Sequence, residues 1–127
     1  MFSHVTVGTN DFERAVPFYD AVMAVLGHDR FISGEGYIGY GQQSGSHFWL
    51  LSPFDKAAAI PGNGNHVAFL APDRAAVRAF HAAALANGGS DEGAPGLRSH
   101  YHPNYYGAYV RDPDGNKLQA ACHHAED

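Results

Sequence analysis

The sequence has little positive charge and a single cysteine, and both shortages exclude classes of protein. Lys and Arg number 8 against 13 Asp and Glu, for a net charge of -5, so the chain lacks the basic surface that binds nucleic acid or anionic membranes. Cys122 is the only cysteine, which excludes an intrachain disulfide and fits a reducing compartment. No apolar run approaches the roughly 20 residues that span a bilayer, and the first residues lack the pattern of a secretion signal. We therefore expect a cytoplasmic protein that binds neither nucleic acid nor membrane.

Two common catalytic signatures are missing as well. No Gly-rich phosphate loop is present, so nucleotide hydrolysis and hydride transfer have no support, and no G-x-S-x-G nucleophile elbow is present. The unusual number is nine His in 127 residues. Such a count calls for a metal or an acid/base role, which composition alone does not identify.

An internal repeat organises the chain. Residues 4–27 align with residues 66–89 at a constant offset of 62 positions and without a gap, as expected of a duplicated unit. Both segments read as a short strand, an acidic turn, an amphipathic helix and a glycine. We predict one domain over 1–127, built from repeat units of about 1–60 and 61–127. The coinciding pairs include His4/His66, Val5/Val67, Asp11/Asp73, Phe18/Phe80 and Gly27/Gly89.

Periodicity predicts the same order of elements in both halves. Alternation predicts a strand over residues 3–8, and Asn10 with Glu13 has the spacing of a capping box that opens a helix ending at Gly27. We interpret the glycine- and proline-rich stretch 93–104 as a loop with one short strand at its edge. The remaining predicted elements are strands near 29–33, 36–41, 47–52, 65–71, 105–111 and 117–122, and a second helix over about 73–87.

The faces of the predicted strands separate a core side from a pocket side. Val5, Val7 and Leu118 should point towards the helices, because the alternating positions of a strand lie on opposite faces. The other face then carries polar and aromatic side chains, and two such sheets can enclose a cavity. The residues expected to line it are His4, Trp49, His66, Tyr109 and Gln119, with part of 100–106 at its mouth.

Four segments resemble the vicinal oxygen chelate superfamily, which includes glyoxalase I, extradiol dioxygenases, fosfomycin-resistance proteins and bleomycin-binding proteins. The segments are HVTVGTND, FERAVPFYDAVMAVLG, HVAFLAPD and YVRDPDGNKLQ, with the pair Phe18-Tyr19 and the turn 112–116 as the more specific features. The resemblance implies an α+β fold in which two tandem βαβββ units form a curved mixed sheet around a pocket. It also implies a homodimer.

The resemblance further implies a divalent-metal site with one ligand from each of four strands. In the family these are His, Glu, His and Glu, and the matching positions here are His4, Trp49, His66 and Gln119. The indole nitrogen of Trp49 has no free lone pair with which to bind a metal. The predicted metal ligands are therefore His4, His66 and Gln119, and the metal would be Zn, Ni, Fe or Mn. Gln119 supplies a neutral oxygen where the family has a carboxylate, which should weaken the site.

The remaining candidates lie around this predicted centre. Thr6, Trp49 and Tyr101 are expected to form pocket walls. The segment 99–106 is dense in donors, acceptors and aromatic rings, as recognition loops often are. His102, Tyr105 and Tyr109 are therefore the candidate catalytic residues that would move a proton.

Two functions stay open. The first is a metal-dependent lyase, isomerase or oxygenase that acts on a small molecule with vicinal oxygens, and the retention of both His favours it. The second is a metal-free small-molecule binding protein of the bleomycin-resistance type, and the loss of both carboxylates favours it. In that case His4 and His66 are pocket side chains that donate hydrogen bonds.

Overall fold

The computed structural model describes residues 1–125 and contains eight strands and two helices in this range. None of its helices is long and apolar enough to cross a membrane. The elements in chain order are β1 (His4–Gly8), α1 (Phe12–Val25), β2 (Arg30–Gly34), β3 (Tyr37–Gly41), β4 (His47–Leu51), β5 (Val67–Leu70), α2 (Arg74–Ala86), β6 (Ser90–Leu97), β7 (Tyr106–Arg111) and β8 (Lys117–Cys122).

The strands form two four-stranded mixed sheets with the same topology. Their orders are β1-β4-β3-β2 and β5-β8-β7-β6, and in each sheet the first strand pairs in parallel with the fourth while the other pairs are antiparallel. The predicted α+β fold of two tandem βαβββ units is confirmed. β1 and β5 have one strand partner each, so both are edge strands.

Helix α1 begins one residue later than the capping-box pattern predicts. Asp11 is the N-cap, and its side chain accepts a hydrogen bond from the backbone N–H of Arg14. Asn10 has another role, because its amide exchanges two hydrogen bonds with the backbone of Ala59, at 2.7 and 2.9 Å. Helix α2 is capped in the same way by Asp73, which accepts from Ala76 N–H at 2.7 Å.

The helices cover one face of both sheets and share a single core. Phe48 of β4 and Phe69 of β5 meet edge to face, with ring centroids 5.1 Å apart, so the core continues from one sheet to the other. Cys122 is fully buried in it, on the helix side of β8. The largest other core side chains are Phe18, Tyr19, Tyr40, Phe80, Leu50 and Leu118.

Strand β6 occupies part of the stretch that we interpreted as a loop. It runs from Ser90 to Leu97, and its pairing with β7 shifts register on both sides of Gly93. Such bulges interrupt the alternation by which a strand is recognised in a sequence. Pro95 is tolerated because β6 is an edge strand of its sheet and need not donate a hydrogen bond on its outer side.

Candidate functional site

The candidate site lies on the face of the two sheets that points away from the helices, called here the open face. In β4, Phe48 and Leu50 are buried in the core, whereas His47 and Trp49 between them are half-buried. Because alternate residues of a strand point to opposite sides, Trp49 belongs to the open face. The same reasoning places Lys117 and Gln119 of β8 on it, since Leu118 and Ala120 are core residues.

A cleft of about 650 Å³ lies at the junction of the two sheets, and we call it the seam cleft. Strand β1 forms one side of it, and the starts of β5 and β8 form the other. Both Thr6 and His66 line it, as does the ammonium-bearing Lys117. His4 lines a different cleft of about 580 Å³, together with apolar side chains such as Phe2 and Phe69. The two predicted His ligands therefore open into separate clefts.

An aromatic patch lies beside the seam cleft on the first sheet. Trp49 is the direct strand neighbour of Thr6. Its ring contacts Phe31 at 5.6 Å, His47 at 6.1 Å and Tyr37 at 6.3 Å between centroids. Trp49 does not itself line the seam cleft, so its role as a pocket wall stays a prediction, and Phe31 is a neighbour that its sequence position did not reveal.

On the second sheet, Gln119 lies beneath a tyrosine. Its side chain is 1% exposed, and its amide nitrogen donates to the Tyr105 hydroxyl at 2.5 Å. The glycine at position 107 makes this arrangement feasible, because a Cβ there would lie 3.0 Å from Gln119 Nε2 and 3.3 Å from the Tyr105 ring. The Tyr105 ring continues to Tyr101, whose centroid is 4.8 Å away.

Tyr109 is the direct strand neighbour of Gln119 and has cationic groups around its ring. The Lys117 ammonium lies 5.1 Å and the Arg98 guanidinium carbon 5.8 Å from the ring centroid. The His66 ring meets it edge-on at 5.9 Å. Burial raises the pKa of Tyr109 to about 12, and the neighbouring Tyr101 hydroxyl adds to the rise, so Tyr109 is a neutral phenol at physiological pH.

His102 is linked to the end of β8 and does not meet the seam cleft residues. Its Nε2 lies 2.8 Å from His123 Nδ1, and its Nδ1 accepts from Asn104 N–H at 3.1 Å. Both imidazoles lie close to Tyr105, with centroids 5.4 and 5.0 Å away. The pair therefore fastens the loop between β6 and β7 to the adjoining sheet.

The side chains expected to hold a divalent metal lie in different surroundings. His4 and His66 line separate clefts, and His4 Nδ1 is hydrogen-bonded to Ser3 Oγ at 2.6 Å. Gln119 is buried and bonded to Tyr105. Within residues 1–125, no three His, Cys, Asp or Glu side chains are grouped so that they could hold an ion. The donor set does not fit the group that the resemblance implies.

Comparison with known proteins gives a family match and close structural likeness. The family described as "Glyoxalase/Bleomycin resistance protein/Dioxygenase superfamily" matches residues 1–120. A glyoxalase/bleomycin resistance protein from Albidiferax ferrireducens is 40% identical with a TM-score of 0.90, over 96% of this chain and 98% of that chain. No curated protein matches the chain significantly.

More distant structures share the fold. A glyoxalase-related enzyme from Fulvimarina pelagi has a TM-score of 0.74 at 22% identity, over 96% of this chain and 87% of that one. A lactoylglutathione lyase from Agrobacterium tumefaciens has a TM-score of 0.65 at 20% identity, over 96% and 92%. At these identities the likeness concerns the fold alone.

Proposed function

The chain belongs to the glyoxalase/bleomycin resistance protein/dioxygenase superfamily, and from that premise we propose that it binds a small organic molecule in the seam cleft without a metal ion. The observation that carries the proposal is the cleft itself. Its volume of about 650 Å³ falls in the range of roughly 300–1,000 Å³ that small-molecule sites occupy. The cleft also lies between the edge strands β1 and β5, which belong to separate sheets.

The lining of the cleft supports the same function. Thr6, Asn65 and His66 bring hydrogen-bonding side chains, whereas Val7, Ile60 and Pro61 bring apolar surface. The cleft therefore combines polar groups, which orient a ligand and make binding specific, with apolar surface that a ligand can cover. The aromatic patch at Trp49 extends this surface by one strand.

The single Trp provides a direct test, because its fluorescence reports on this face alone. Compounds from an aromatic fragment library that enter the seam cleft should change Trp49 emission. Thr6→Phe should abolish the change by filling the cleft. Ser33→Phe adds the same ring at an exposed position of β2 and serves as the matched control. The absence of any fragment that distinguishes Thr6→Phe from Ser33→Phe would contradict the proposal.

A metal-dependent lyase or dioxygenase activity is the second candidate, favoured by the exposure of His4 and His66 at repeat-related positions. Elemental analysis of untagged protein separates the two candidates. We expect no stoichiometric metal as purified and none after exposure to Mn, Fe, Ni or Zn, with Gln119→Glu making no difference. Bound metal that His4→Ala and His66→Ala both remove would establish the second candidate instead.

We also propose that the protein is a homodimer that buries part of the open face. Leu70, on β5, is 73% exposed, and Phe2 beside it in the His4 cleft is 72% exposed. Sedimentation should show a dimer that Leu70→Asp dissociates. Leu85→Asp makes the same change on helix α2, away from the open face, and should leave the dimer intact. A monomer at all concentrations would refute this proposal.

A further inference from the structure

We propose that the ligand of the seam cleft is a planar organic anion, an aromatic carboxylate, held by Lys117 and Arg98 against the ring of Tyr109. This inference rests on the proposed function and names the chemistry of its ligand. Lys117 connects the two features, because it lines the seam cleft and lies over the Tyr109 ring.

The first support is that these two cations have no carboxylate partner among residues 1–125. Three other basic side chains are neutralised, in the ion pairs Arg14–Asp114, Arg30–Asp20 and Arg111–Glu92. Within the described part of the chain, Lys117 and Arg98 make no such pair. Acidic residues outnumber basic ones by 13 to 8, so an unneutralised pair of cations on one face is not the result of a shortage of acids.

The second support is that Arg98 is held in place. Its guanidinium donates to the carbonyls of Gly96 at 2.9 Å and Ala94 at 2.7 Å, which are neutral acceptors and leave its charge uncompensated. A positioned guanidinium with donors in a fixed plane suits a carboxylate. Gly93 permits this position, because a Cβ there would approach Arg98 Nη2 and the Tyr109 ring to 3.2 Å.

The third support concerns the shape of the ligand. Tyr109 stays neutral because its pKa is about 12, so it does not provide the negative charge that the two cations lack. Its ring offers a flat surface instead, and the aromatic patch at Trp49 offers another. A planar ring that carries a carboxylate can pack against the aromatic side chains and form ion pairs with Lys117 and Arg98. A positively charged ligand would be repelled by these two cations.

Three compounds with the same ring system test the charge preference: 2-naphthoate, 2-naphthamide and 2-naphthylmethylammonium, measured by titration calorimetry. We expect 2-naphthoate to bind most tightly and to weaken with added salt, since exposed charges are screened. Lys117→Gln should weaken it about two- to fivefold, as the loss of one partly exposed ion pair implies. Lys56→Gln, which removes the same charge in the exposed loop after β4, should leave binding unchanged.

The outcomes separate this inference from the proposed function. Equal binding of all three compounds, with Thr6→Phe abolishing it, would leave the seam cleft as a binding site and overturn the anion preference. Tighter binding of the amide or the amine, or the same loss in Lys117→Gln as in Lys56→Gln, would overturn it as well. Failure of all three compounds to bind, together with a negative fragment screen, would contradict the proposed function and this inference together.

Discussion

At the scale of single residues, the glycine at position 107 decides where Gln119 and Tyr105 can lie. Gly107→Ala would place a Cβ 3.0 Å from Gln119 Nε2, and overpacking typically costs about 1–3 kcal/mol. That exceeds the roughly 0.4–1 kcal/mol that Gly→Ala gains by restricting the unfolded chain. Urea unfolding should therefore show a net loss of stability. Gly45→Ala, where the nearest atom is 3.8 Å away, should show no such loss, and equal effects of the two changes would contradict the explanation.

The titration of Tyr109 gives a second test at this scale. Its folded-state pKa of about 12 lies above the value of about 10 for an unfolded tyrosine, so the folded state favours the neutral phenol. The resulting stabilisation is complete below pH 10 and is lost as the pH rises through 12. In phenolate absorbance, Tyr109→Phe should remove one group from the step near pH 12. Tyr101→Phe should lower the pKa of Tyr109, because the Tyr101 hydroxyl raises it. An unchanged alkaline step in both variants would show that Tyr109 is not the group concerned.

At the scale of elements, the hydrogen bond between His102 and His123 fixes the loop that joins β6 and β7. The loop carries Tyr101 and continues into Tyr105, so its position determines how Gln119 is covered. His123→Ala removes the acceptor of the 2.8 Å bond and should speed amide hydrogen exchange over residues 99–105. His124→Ala, one residue further along, should leave exchange in the loop unchanged. Similar exchange in both variants would mean that the loop is held by its own backbone bonds.

At the scale of the whole molecule, one buried contact ties α1 to the turn before β8. The Tyr19 hydroxyl donates to the Asp112 carboxylate, which also accepts from the backbone N–H groups of Asp114 and Asn116 at 2.9 and 2.8 Å. Asn116 in turn donates to the Gly8 carbonyl at 3.0 Å. The turn predicted from the sequence thus joins the two halves of the chain.

This contact predicts a pH-dependent cost for Tyr19→Phe. Burial raises the pKa of Asp112, and the Tyr19 hydrogen bond partly opposes the rise. Below the unfolded pKa of 3.8 the Asp112 carboxyl is protonated in both the folded and the unfolded state. Above its raised folded pKa it is a buried carboxylate, and in Tyr19→Phe this carboxylate has lost the hydroxyl that donates to it. The stability difference between wild type and Tyr19→Phe should therefore grow with pH to about 1–3 kcal/mol at neutral pH. Urea unfolding between pH 4 and 8 measures it, and a constant difference would refute the role of Asp112. Tyr37→Phe, whose hydroxyl has no partner within residues 1–125, is the control.

The sequence by itself determined the repeat, the order of both helices and of every strand except β6, the core face of β1 and β8, and the family. These follow from periodicity and from short-range turn chemistry, which act between residues that are close along the chain. The position of the N-cap at Asp11 could not be predicted in this way, because the Asn10 side chain is hydrogen-bonded to Ala59, which is 49 residues away along the chain. Strand β6 was hidden because its bulges interrupt the alternation.

Only the tertiary structure decided how the candidate site is arranged. His4 and His66 occupy matching positions of the repeat, yet each faces a cleft whose other walls come from distant segments. Gln119 has the residue type of a weak ligand, but the absence of a side chain at Gly107 lets Tyr105 cover it. No sequence pattern marks Lys117 and Arg98, because what distinguishes them is that neither forms an ion pair with a carboxylate of the described residues. Which charges meet and which stay unpaired depends on how the strands pack, and local sequence patterns do not contain that information.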